Sequence, residues 1–96
     1  MKYIHCLWIH KFADDPVVLV SEVNDNGFEI RKVEYWRSGQ IGIADENTLE
    51  SNVTQLGLYS IGSVNEINAD EQFSAIEITK EEFENHWELA TSNKKL

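Results

Sequence analysis

The sequence predicts an α+β fold: an antiparallel sheet of four or five strands with two short helices, in the order β-β-β-β-α-β-α. Three observations carry this. Glu29–Ala44 reads as two antiparallel strands around a tight turn at Ser38-Gly39. The turn signal Asn24-Asp25-Asn26-Gly27 precedes it, suited by Asn and Gly to positive φ. Later, Ser63…Glu66 and Thr79…Glu82 both have the spacing of a capping box, in which residue and cap satisfy each other's exposed donors.

Tyr3–His10 is the first strand. Tyr3, His5, Leu7 and Ile9 alternate with Ile4, Cys6, Trp8 and His10, so both faces are largely apolar and coverage on both sides is expected. Lys11–Pro16 is a polar connection. Val17–Val23 is the second strand, with Val17, Leu19, Ser21 and Val23 on one face. Phe28–Arg37 is the third: Phe28, Ile30, Lys32, Glu34 and Trp36 share one face, and Glu29, Arg31, Val33, Tyr35 and Arg37 the other. Gln40–Ala44 is the fourth. Asp45–Gly57 is polar and aperiodic and reads as a long loop; Asn52-Val53-Thr54 within it matches a glycosylation acceptor. Ser63 caps a short helix reaching to about Glu71 or Phe73. Ala75–Ile78 is a short strand, and Thr79 caps a helix to about Ala90 with Phe83, Trp87 and Ala90 on one face. Both helices are expected on one face of the sheet, leaving the other to the 45–62 segment or to a second chain.

The 96 residues fit one domain. Seventeen acidic and eight basic residues give a net charge of −9. The excess is uneven. Residues 1–44 hold 6 acids and 5 bases, whereas residues 45–96 hold 11 acids and 3 bases. Such a surface repels phosphate backbones and anionic lipid, so neither nucleic acid nor membrane is an expected partner. It attracts basic proteins and speeds encounter with them. The N-terminus lacks the apolar core of a signal peptide, and the single cysteine, Cys6, has no disulfide partner, so a cytoplasmic location is expected.

No motif of catalysis emerges. Cys6 lies mid-strand among apolar neighbours and reads as a core thiol, not a nucleophile. His5 and His10 occupy opposite faces of one strand, with His86 distant in the last helix, so no shared metal site is expected, and no cofactor. The dense charge pattern on the strands, Glu22, Glu29, Arg31, Lys32, Glu34 and Arg37, reads as solvated ion pairs, as a recognition surface or, given a cleft between paired carboxylates, as a site of acid–base catalysis. Trp36 and the exposed helix acids Glu81, Glu84 and Glu88 complete the candidate partner-binding residues.

W-I-H near the start, D-D-P-V-V-L-V-S-E-V, E-I-R-K-V-E-Y-W-R-S-G-Q-I-G-I-A-D-E and the late I-T-K-E-E-F-E-N-H-W resemble a family of small bacterial proteins built on a domain of unknown function. The likeness spans nearly the whole chain. It implies importance for Glu22, Glu29, Arg31, Lys32 and Glu34 but brings no catalytic residues. It also implies a role such as immunity toward a secreted toxin. The expected function is therefore an acidic protein-binding module that neutralises a basic toxin. The alternatives are a small regulatory or structural homodimer and an enzyme of unknown class.

Overall fold

The computed structural model describes residues 1–46 and 54–93. The elements are β1 (Lys2–Trp8), β2 (Val18–Val23), β3 (Glu29–Tyr35), β4 (Ile41–Asp45), α1 (Val64–Asn68), β5 (Phe73–Ile78) and α2 (Lys80–Asn93). The order agrees with the sequence reading, and most boundaries move by one or two residues. The fifth strand begins at Phe73 because α1 stops early, at Asn68, and α2 is longer than expected at 14 residues. Most of the expected 45–57 loop, including Asn52 and Val53, lies outside the described residues.

All five strands pair antiparallel in the order β4-β3-β2-β1-β5. Local chemistry sets the turns. Among the described residues, Gly27 and Gly39 are the ones with positive φ, at 87° and 94°. At Gly27 a side chain would also strike the Ser60 hydroxyl, which donates to the Asn26 carbonyl, so only glycine fits. Both capping boxes form. Glu66 N–H donates to Ser63 Oγ at 3.2 Å, and Glu82 N–H donates to Thr79 Oγ1 at 3.1 Å.

The two helices lie on opposite faces of the sheet, which corrects the expectation that they share one. α2 covers Tyr3, Val20, Val33 and Ile43 with Phe83 and Ala90. α1 packs Val64 and Ile67 on Ile4, Val23 and Ala75. The reason is composition. Both sides of β1 and β2 are apolar, and a helix of five residues cannot share a face with a longer one and still leave the second side covered. Phe83, with no exposed surface, anchors the larger core. Burying such a side chain contributes about 1.5–3 kcal/mol. Trp87, on the same face of α2 as Phe83 and Ala90, is only half-buried and packs against this core.

Residues 54–62 cross the α1 face. Ile61 N–H donates to the Gly27 carbonyl at 2.8 Å, and Thr54 is 1% exposed. At the sheet edge, Asn68 brackets Ala75 of β5, donating to its carbonyl at 2.9 Å and accepting its N–H at 2.6 Å. A side-chain amide thus stands where a further strand would pair.

Candidate functional site

The charged residues of β3 divide between the two faces of the sheet and form two separate clusters. Successive strand residues point oppositely, so Arg31 faces α2 and Lys32 faces the 54–62 segment.

On the α2 face, Arg31 bridges two carboxylates. Its Nε donates to Glu22 Oε1 at 2.6 Å and its Nη2 to Glu22 Oε2 at 3.1 Å. Nη1 and Nη2 donate to Glu84 Oε1 and Oε2 at 3.0 and 2.6 Å. Tyr3 OH adds a third donor to Glu22 Oε2 at 3.0 Å. The guanidinium lies 4.8 Å from the Phe83 ring centre and 5.1 Å from that of Trp87, within cation–π range. The Arg31 hydrogen bonds hold Glu22 and Glu84 below the usual carboxylate range, whereas burial, helped by Glu22, pushes the Tyr3 hydroxyl up. Glu84 is therefore a part-exposed ion-pair partner joining α2 to β3, not the unpaired acid the sequence suggested.

On the other face, Lys32 Nζ meets Glu29 Oε1 at 2.8 Å and donates to the Gln55 carbonyl at 2.9 Å. Glu29 also accepts from Gly57 N–H at 2.7 Å and from Ser21 Oγ at 2.8 Å. Glu29 was expected on the Arg31 face. A β-bulge overturns that: Val23 pairs with Glu29 while Glu22 pairs with Arg31, so Ile30 is the extra residue and Glu29 turns over to join Lys32. Glu34 is 8% exposed, and burial raises its pKa against the hydrogen bond of Thr54 and the charge of Lys32. These buried charges have fixed partners, so neither a solvated ion-pair face nor an open recognition surface describes them.

The other candidates fall elsewhere. Trp36 lies in the β3–β4 turn, where Nε1 donates to the Asp14 carbonyl at 3.1 Å. Beside it Arg37 donates to the carbonyls of Phe12 and His10. Together they tie the 9–16 connection to the hairpin. Glu81 and Glu88 are exposed on the outer side of α2. His86 is not distant from His5: the ring centres are 5.9 Å apart, and Tyr35 OH lies 2.6 Å from His86 Nδ1. Burial and then His5 lower the His86 pKa. Among the described residues, no three His, Cys, Asp or Glu side chains are grouped as a metal would require. Tyr3 and Ser21 on the strands, Thr54 in the covering segment and Asn68 at the end of α1 were missed, because nothing in their local spacing points to the distant partners they meet.

Cys6 is half-buried rather than sealed, and burial pushes its thiol pKa up. It lies on the floor of a groove of about 430 Å³ between α1 and residues 61–62. No described helix is long and apolar enough to cross a membrane.

No curated protein and no solved structure matches the chain. A family model described as a domain of unknown function, DUF6881, matches residues 2–92, which include every strand, the α1 helix, all but the last residue of α2 and both charge clusters. The chain belongs to the DUF6881 family.

Proposed function

We propose that this chain is an acidic protein-binding module for a basic protein, and that immunity toward a basic toxin is the role this chemistry fits. One observation carries the reading: the division between satisfied and unsatisfied charge. Arg31 and Lys32 are consumed inside the fold by Glu22, Glu84 and Glu29. Asp70, Glu71, Glu77, Glu81 and Glu88 instead stand in solvent, and Lys80 is the one Lys or Arg among residues 54–92. Exposed like charge of this kind costs stability through self-repulsion, and it raises association rates with an oppositely charged partner. The same surface disfavours nucleic acid and anionic membranes as partners. A cytoplasmic setting fits the lone thiol.

The test begins with co-purification from the native cell and identification of the bound protein. Association rates are then measured against ionic strength for wild type and for Glu81→Lys/Glu88→Lys. The double variant should associate about tenfold more slowly at low salt with little change in dissociation, and the gap should close as salt rises. Equal association rates at low salt would remove α2 from the recognition surface. A partner without basic character would overturn the reading.

A further inference from the structure

The two sides of the central strands are covered unequally. On the α2 face Val20 has no exposed surface. On the α1 face Cys6 and Leu19, paired directly across β1 and β2, remain half-buried. They form, with Ile4, the floor of the 430 Å³ groove, and Ile67 of α1 forms a wall. Glu66 and Asp70 stand on the same lining, as does Glu29, whose carboxylate is already held by Lys32 at 2.8 Å, so Glu66 and Asp70 are the lining acids without a cation among the described residues. Each has one carboxylate oxygen engaged internally. Glu66 Oε1 accepts from Ser63 N–H at 3.1 Å, and Asp70 Oδ1 accepts from Gln72 N–H at 2.9 Å. The second oxygen of each makes no hydrogen bond among the described residues. Both residues are exposed. A second hollow, of about 570 Å³, adjoins this groove at Ile4 and Ile61 and is lined by Asp25 and Glu77 together with Lys2.

We propose that this groove receives an arginine or lysine of the basic protein partner, together with an adjacent apolar residue. The inference rests on the protein-binding reading and names its site. An apolar floor beneath a carboxylate rim matches the two parts of such a side chain. The aliphatic stem covers Cys6 and Leu19 while the cationic head reaches Asp70 and Glu66. Ion pairing at the rim then adds charge-assisted hydrogen bonds where the floor alone would accept any apolar group. The groove lies across the sheet from α2, so recognition by Asp70 and steering by Glu81 and Glu88 are separable.

The test is a titration of isotopically labelled protein with acetyl-Leu-Arg-Arg-Leu-amide, followed by amide chemical shifts, with the citrulline peptide as the uncharged control. Saturable shifts centred on Ile4, Cys6, Leu19 and Ile67 are expected. Affinity should fall about tenfold or more for the citrulline peptide and for Asp70→Lys. Leu19→Lys, which places a cation on the floor, should also abolish the shifts, and unfolding curves check that each variant is folded. Equal binding of the citrulline peptide would overturn the cationic site. Shifts confined to the surroundings of Glu81 and Glu88 would overturn the groove and leave the basic-partner reading standing. An absence of saturable binding anywhere would overturn the groove, and if the co-purified partner also lacked basic character, the wider reading would fall with it.

Discussion

Arg31 and Lys32 are neighbours on one strand, and each faces two carboxylates, but on opposite sides of the sheet. Arg31 engages both of its acids through a planar fork and rests on two aromatic rings. Lys32, a compact ammonium, pairs with Glu29 and gives another hydrogen bond to a backbone carbonyl. Its other acidic neighbour, Glu34, is left to Thr54 and to burial. The result is opposite titration behaviour: Glu22 is lowered and Glu34 is raised. A count of one base to two acids therefore says little about energetics. Donor geometry and the covering element decide whether a buried acid is stabilised or strained.

The largest expected effect separates the two bases. Arg31→Ala leaves Glu22, whose side chain is 9% exposed, without its cation and should cost roughly 3–5 kcal/mol. Lys32→Ala should cost less, about 1–3 kcal/mol, because Glu29 keeps the Ser21 hydroxyl and the Gly57 N–H. Urea unfolding of both variants measures the difference, and equal losses would break the asymmetry between the faces.

A pH series sharpens it. A carboxylate lowered in the folded state contributes stability that is full above its unfolded value, near 4.3, and is lost as pH falls through the folded value. Glu22 and Glu84 behave this way. Glu34, raised by burial, contributes in the opposite sense: its stability is present below the unfolded value and is lost as pH rises through the folded one. Glu22→Gln should therefore lower stability near neutrality and flatten the acid limb. Glu34→Gln should leave stability at neutral pH equal or higher, since a neutral amide avoids the burial cost that the carboxylate meets there. Denaturant midpoints from about pH 3 to 7 test this. A large loss for Glu34→Gln at neutral pH would mean that Lys32 outweighs burial.

The smallest effect compares the helices of the two faces. Thr79→Ala removes the cap of α2 and should cost about 1 kcal/mol. Ser63→Ala removes the equivalent contact from α1, whose single turn has no fully buried residue, and should cost no more than that. Equilibrium unfolding curves read both, and a Ser63→Ala loss exceeding that of Thr79→Ala would show that α1 carries more of its face than its packing suggests.

Much of this architecture was legible in the residues. Strand periodicity and glycine turns gave the five strands, and the Ser63 and Thr79 boxes placed two helix starts. The strand alternation also separated Arg31 from Lys32. Glu29 was misplaced because Phe28-Glu29-Ile30 contains no glycine to mark the bulge, which arises from how β3 meets β2. Glu84 was misread because its helical spacing matches that of its exposed neighbours Glu81 and Glu88. Only the approach of Arg31 from 53 residues away makes it an ion-pair partner, although its side chain stays partly exposed. His86 likewise meets Tyr35 and His5 only after α2 has docked.

The sequence by itself determined what depends on near neighbours: element order, caps, turns and the acidic excess of the second half. Each follows from backbone sterics or from hydrogen bonds spanning a few residues. The tertiary structure alone decided which face each helix covers, which carboxylates Arg31 and Lys32 hold, and that Cys6 and Leu19 remain half-covered. These depend on contacts between distant segments, for which packing of the whole sheet, rather than local spacing, sets the geometry.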